Sequence, residues 1–115
     1  MIHKLAAASE WAQAVARGRF TGSALDQRDG YVHLSGPDQV VETAARHFAG
    51  RTGLVLLTVD PDRLGGALRW EASRGGALFP HLYGPLPLDA VIAVDPLPDT
   101  VPVPEAVAAL LDQKS

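Results

Sequence analysis

The run Leu54-Val55-Leu56-Leu57-Thr58-Val59 is apolar on both faces of an extended segment. A strand of that kind needs cover on both sides, so it predicts a central strand, ended by Asp60-Pro61. Around it the sequence predicts a first strand over Met1 to Leu5 and a buried strand over Ala90 to Val94. A short strand, Leu68 to Ala72, lies between the flexible pairs Gly65-Gly66 and Gly75-Gly76. A chain of 115 residues is then one domain, burying about two-thirds of its unfolded surface.

Two helices are predicted in the N-terminal half. The first is capped by Ser9, whose hydroxyl can accept from an orphan N–H. It places Trp11, Ala12 and Val15 on one stripe and stops at Gly18. The second runs from about Pro37 to Ala49, with Ser35 and Asp38 at capping-box spacing. Val40, Val41, Ala44, Ala45 and Phe48 face inward, while Asp38, Glu42 and Arg46 face out. Asp29-Gly30 reads as a turn leading into a strand over Tyr31 to Ser35. After Asp95, Pro96, Pro98, Pro102 and Pro104 dictate an extended path, followed by one or two helical turns through Leu111. The organisation read is a domain over residues 1–97 and a Pro-rich tail over 98–115 with a short helix packed on it. The class is α+β.

Composition narrows the function classes. The chain is 47% hydrophobic and 20% charged, an ordinary globular balance. A net charge of −3 with no run of basic residues disfavours nucleic acid as partner. Cysteine is absent, which removes disulfides, thiolate ligands and cysteine nucleophiles. No apolar window reaches the roughly 20 residues of a membrane helix, and the N-terminus lacks a signal-peptide core. The expectation is a soluble, cytoplasmic, membrane-free protein, with any protein partner left open.

The chemistry concentrates in three segments, each setting titratable groups in a short apolar run. In Tyr31 to Ser35, a period of two puts Tyr31, His33 and Ser35 on one face. In Leu68 to Glu71, Arg69 and Glu71 oppose Leu68 and Trp70. In Leu78 to Gly84, Phe79, His81 and Tyr83 oppose Leu78, Pro80 and Leu82. Pro80 lacks an N–H, so that segment is an edge, a bulge or a bent loop. If the polar faces line one groove, they suit a small polar ligand carrying an aromatic base or a phosphate. Bland readings stand beside this one. His33 could fix a turn, Glu71 could pair with Arg69, Arg74 or a buried histidine, His81 could be a packing residue, and Tyr83 could cover a sheet edge. Trp11 and Trp70 read as core, and His3 and His47 as inert. Metal-ligand spacing, glycine-rich phosphate loops and a nucleophile elbow are all missing. What survives is a histidine and carboxylate set able to orient, hydrogen-bond or transfer protons.

Trp11, Gly18, Ser23-Ala24-Leu25-Asp26, Gly30-Tyr31-Val32-His33-Leu34-Ser35, Gln39 and Leu56-Leu57 together resemble a family of short bacterial proteins. Leu68-Arg69-Trp70-Glu71 and Phe79-Pro80-His81-Leu82-Tyr83-Gly84-Pro85-Leu86 complete the resemblance, which covers about residues 2 to 97. The family is the one called domain of unknown function 952. The resemblance implies a compact, split, mixed β-sheet with two N-terminal-half helices, as in the ADP-ribosylation superfamily. That group contains NAD-dependent ADP-ribosyltransferases and RNA 2′-phosphotransferases. It implies His33 and Glu71 as catalytic residues, with His33 orienting the nicotinamide ribose and Glu71 stabilising an oxocarbenium-like ribose. Tyr31, Phe79 or Tyr83 would stack on a ring, with Ser35, Arg69 and His81 also lining the ligand. No cofactor is required, and NAD enters as substrate or ligand. Gly36 departs from the pattern, standing where a second hydroxyl residue is expected.

Three readings stay open at this point: an NAD-using transferase (ADP-ribosyl or phosphoryl-type) or hydrolase, a non-catalytic nucleotide or small-metabolite module, and a structural histidine–glutamate set with function in a protein partner. The tail from Pro96 onward would be the docking segment in the last.

Overall fold

Leu54–Val59 does become the middle strand of a sheet, and all six of its residues are buried. The computed structural model describes residues 1–114, the Arg74 side chain excepted. In chain order the elements are β1 (Ile2–Ala7), α1 (Ala8–Arg17), β2 (Arg19–Phe20), α2 (Ala24–Asp29), β3 (Val32–His33) and α3 (Val40–His47). Then follow β4 (Leu54–Val59), β5 (Leu68–Ala72), β6 (Leu78–Leu82), β7 (Leu86–Pro87), β8 (Val91–Pro96) and α4 (Val103–Lys114). The strands form three small sheets in the orders β1-β4-β8, β2-β7 and β3-β6-β5.

Strand β4 divides the interior in two. On one side Val55, Leu57 and Val59 join Ile2, Phe20, Val32, Leu82 and Leu86. On the other, Leu54 and Leu56 meet Leu5, Val40 and Ala44 of α3, and Val103, Ala106 and Val107 of α4. Every residue of a strand covered on both faces must be apolar or satisfied, which is why the run reads so plainly. The architecture is α+β with several antiparallel sheets and four helices.

Several expectations need correction. The sheets are not mixed, because every strand pairing is antiparallel. β5 and β6 follow one another through a short connection, and a parallel pair would need a crossover of a dozen or more residues. The N-terminal half holds three helices, since α2 is an additional six-residue one. Ser23 caps it, and the turn expected at Asp29-Gly30 is its end, with Gly30 at φ 84°. Helix α1 starts at Ala8, so Ser9 is not its cap. Instead Glu10 Oε1 accepts from the Ala7 N–H at 3.1 Å. Its buried residue is Ala14 and Val15 is exposed, while Trp11 does pack on the core beside Phe20. Helix α3 starts at Val40, and Ala45 is exposed. β8 is an edge strand that alternates between half-buried and exposed residues, so it is not fully buried. Trp70 is 49% exposed and is not core. The tail forms the twelve-residue α4, longer than one or two turns, and its apolar face is spent against α3 and β4.

Candidate functional site

The sheet β3-β6-β5 brings two of the three polar segments side by side and the third against them. In its register His33 lies opposite His81, His81 opposite Arg69, and Phe79 opposite Glu71. Directly paired residues of antiparallel strands project to the same side. One face therefore carries His33, Arg69, Glu71, Phe79 and His81. The other sends Val32, Leu68 and Leu82 to the core. Tyr31 precedes β3 and stacks on His81, with ring centres 4.2 Å apart and planes 23° from parallel. It also lies 4.6 Å from His33 and 5.2 Å from Tyr83. The Arg69 guanidinium sits 5.2 Å over the Tyr83 ring.

Ser35 is not part of this face. After the two residues of β3 the chain pairs with β1, the Ser35 and His3 backbones exchanging two 2.8 Å hydrogen bonds. That turn sends the Ser35 hydroxyl to Thr43 of α3, 3.0 Å away. Gly36, the departure from the family pattern, is buried, and its N–H donates to Gln39 Oε1 at 2.9 Å. A Cβ there would come within 3.0 Å of Asp38 and 3.3 Å of Gln39.

Glu71 is the most engaged group at the open edge of the cluster. Its Oε1 accepts from the Tyr83 hydroxyl at 2.6 Å and from His81 Nδ1 at 2.9 Å. An ionised carboxylate only accepts, so His81 carries its proton on Nδ1 in this contact. The Tyr83 hydrogen bond, then the His81 one, hold the Glu71 carboxyl below its ordinary value. The same bond raises the Tyr83 phenol, since its ionisation would set two anions together. Of the proposed partners of Glu71, His81 is the one in hydrogen-bond contact, and the Arg74 side chain lies outside the described residues.

Behind His33 lies a charge network that sequence reasoning missed. Asp26 is 2% exposed. Its Oδ1 accepts from the His33 ring Nδ1 at 2.6 Å and from the His33 N–H at 3.0 Å. Its Oδ2 accepts from the Ser23 N–H at 2.8 Å and faces buried Lys4 Nζ at 3.0 Å. Lys4 also donates to the His33 carbonyl at 2.9 Å. The other His33 ring nitrogen, Nε2, lies 3.0 Å from Asp29 Oδ2. Both ring nitrogens thus face carboxylates. Ser23 and Asp26 form a capping box, and that Ser-x-x-Asp spacing was the signal available in the sequence. Gly22 is its other trace. At φ 96°, a Cβ there would stand 2.6 Å from Asp26 Oδ2, so only glycine admits the carboxylate.

These buried groups set an acid response. Burial alone would raise the Asp26 pKa, but the His33 hydrogen bond, Lys4 and two backbone N–H groups outweigh it. They hold the carboxyl well below its usual range. His3, buried in β1, has its pKa lowered from the ordinary histidine value, because burial disfavours its cation. In both cases the unfolded chain binds protons more readily than the folded one, so stability rises with pH. Urea denaturation should therefore show stability falling as the pH drops below about 6.5, from His3, and again below about 4, from Asp26. His3→Gln should remove the upper descent and leave the lower; an unchanged upper descent would count against the His3 assignment.

His3 is thus not inert. It borders a cavity of about 530 Å³ between the β1-β4-β8 sheet and the helices, with Val41, Thr58, Leu111 and Lys114 among its walls. Its Nδ1 is 3.4 Å from the Thr58 hydroxyl. A second, more polar hollow of about 230 Å³ lies between α1 and α2, with Arg17, Arg19 and Gln27 in its lining. The Tyr31–His81–Glu71 cluster lines neither and lies on an outer face of its own sheet. Among the described residues no three His, Asp or Glu side chains are grouped to hold a metal ion, and no helix is long and apolar enough to cross a membrane.

The chain is similar to a protein of known structure, CC0527 from Caulobacter crescentus. Its crystal structure is 49% identical, with a TM-score of 0.85 over 93% of this chain and 97% of that one. The solution structure of the same protein is 52% identical over the matched part, with a TM-score of 0.75 over 84% and 83% of the two chains. No curated protein matches the chain. The family model described as "Protein of unknown function (DUF952)" matches residues 5–94, the span from the second half of β1 through β7 and most of β8. The chain belongs to that family.

Proposed function

We propose that the face formed by Tyr31, His33, Arg69, Glu71, His81 and Tyr83 binds NAD or a related nucleotide, with ADP-ribosyl-type transfer as its chemistry. The observation that carries this reading is Glu71. It is an ionised, partly exposed carboxylate, with one oxygen held by Tyr83 and His81, among exposed and half-buried aromatic rings. When the bond from ribose C1′ to nicotinamide breaks, the electron pair leaves with nicotinamide and positive charge develops at C1′. A fixed carboxylate opposes that charge, and an acceptor hydroxyl or water then attacks C1′ and loses its proton. Tyr31 or Tyr83 offers a ring for stacking, and Arg69 a cation for a phosphate. The arrangement of small split sheets is in keeping with the ADP-ribosylation superfamily. NAD is then substrate or ligand rather than a resident cofactor, the partner is a small molecule, and the protein works in the cytoplasm.

The test is thermal denaturation with NAD or ADP-ribose at millimolar concentration, together with nicotinamide release. Wild type should be stabilised by either ligand. Glu71→Gln should keep that stabilisation and lose roughly 10²-fold or more in turnover, the scale set by removing one electrostatic stabiliser. No stabilisation of wild type would sink the proposal.

One observation favours a second reading for part of the set. Both His33 ring nitrogens are already occupied by Asp26 and Asp29, which suits a structural His33 and a non-catalytic ligand module. Stabilisation by ligand without nicotinamide release, lost in His81→Ala, would select that reading.

A further inference from the structure

β5 lies at the edge of its sheet, and its open side has a definite pattern. Ala67 O accepts from Tyr83 N at 2.8 Å and Ala77 O accepts from Ser73 N at 2.9 Å. These two bonds bracket the β5–β6 pairing and place the odd-numbered residues of β5 in its hydrogen-bonded pairs. Pro80 agrees, since it stands opposite Trp70, has no N–H, and turns its carbonyl to Leu34 N of the neighbouring segment at 3.1 Å. The even-numbered residues of β5 therefore direct their backbone groups away from β6. The Leu68 N–H is taken by Gly65. The N–H and C=O of Trp70 and Ala72, and the C=O of Leu68, face the open edge. Among the described residues no backbone group pairs with them.

The side chains at this edge are as unusual as its backbone. Natural edges are blunted by charged side chains, proline or a bulge; Leu68-Arg69-Trp70-Glu71-Ala72 has no proline or bulge, and its two charges, Arg69 and Glu71, are of opposite sign. Trp70 is 49% exposed, and Leu78, paired with Ala72 on the same face, is 55% exposed.

We propose that β5 pairs antiparallel with β5 of a second copy of this chain, about a twofold axis through Trp70. The reason is charge complementarity in that one register. Centring on Trp70 sets Arg69 of each copy opposite Glu71 of the other, and Leu68 opposite Ala72. Two opposite-charge pairs form at once, by symmetry. They fall in the non-hydrogen-bonded pairs, where side chains approach most closely. The two Trp70 residues exchange their backbone bonds on the axis and cover one another on the face away from the cluster. The result is one six-stranded sheet, β3-β6-β5-β5-β6-β3, with the two Glu71 clusters side by side across the seam. The inference does not depend on what the cluster binds.

Sedimentation velocity from micromolar to millimolar protein tests this, with Trp fluorescence alongside. Wild type should pass from monomer to dimer, with a blue shift in tryptophan emission as Trp70 is covered. Arg69→Glu and Glu71→Arg should each weaken association by about tenfold, because each puts like charges opposite one another twice. The double variant Arg69→Glu/Glu71→Arg restores the pairing and should dimerise like wild type. Ala72→Pro blocks the open edge without removing a bond to β6, since that N–H points outward. It should stay monomeric and folded by circular dichroism. A wild type that remains monomeric at millimolar concentration would overturn the proposal. So would a double variant as weak as the singles, or a dimer that survives Ala72→Pro.

Discussion

Asp26→Ala is expected to destabilise the protein by roughly 3–5 kcal/mol, the scale for breaking a buried ion pair from one side. Asp26 and Lys4 are 2% and 7% exposed, so the ammonium would be left almost without water or partner. The Ser23 N–H, the His33 N–H and the His33 ring would lose their acceptor in the same step. Urea denaturation of wild type, Asp26→Ala and Lys4→Met/Asp26→Leu measures this. The double variant should lose less than Asp26→Ala, because no charge is left buried alone. It should not reach wild type, because the two N–H groups remain unsatisfied. Equal losses in the single and double variants would show that the unsatisfied N–H groups, and not the stranded ammonium, cause most of the damage. The same measurement bears on function. Asp26 and Lys4 hold the ring and the carbonyl of His33, so a loosened network should move His33 and Tyr31 before it touches Glu71.

The second large effect is expected at Phe20. Phe20→Ala should cost roughly 3–5 kcal/mol, as for other buried aromatic truncations. Phe20 is 2% exposed and packs with Trp11, whose ring centre is 6.2 Å away. It belongs to β2, which pairs with β7 over only two residues. So short a pairing holds its place mainly by what its side chains bury, not by its few hydrogen bonds. Phe20→Leu keeps most of the volume and should lose clearly less. A loss under about 1 kcal/mol in Phe20→Ala would mean the core collapses around the gap more completely than such cores usually do.

The residues that the sequence made legible are those with a strong local period. Leu54–Val59 is apolar on both faces because both faces are covered. The alternations around His33, Glu71 and His81 are legible for a related reason, since a sheet face is written every second residue. Tyr31 and Tyr83, flanking the strands, join the same face through their rings. Ser35 shows where the rule fails. The period of two holds only while the strand lasts, and β3 ends at His33 before the chain turns to pair with β1. Trp70 fails for another reason: on an edge strand a large apolar side chain has a neighbouring strand on one side only, and half of its surface stays exposed.

Asp26, Lys4 and Asp29 were beyond any local pattern. Lys4 lies in the first strand and Asp26 in a helix twenty-two residues later. Their 3.0 Å contact depends on how β1, α2 and β3 pack. A capping serine three residues before an aspartate says that a helix begins. It does not say that the aspartate also reaches a lysine and a histidine. From its residues alone this chain determines a central strand, an α+β class, and a face bearing His33, Arg69, Glu71 and His81. Those follow from periodicity, which is short-range and survives in one dimension. Only the tertiary structure decided which charges neutralise one another, which edge stays open, and which nitrogen of each histidine is occupied. Ion pairs and strand edges join residues distant in sequence, and a one-dimensional pattern carries no record of those distances.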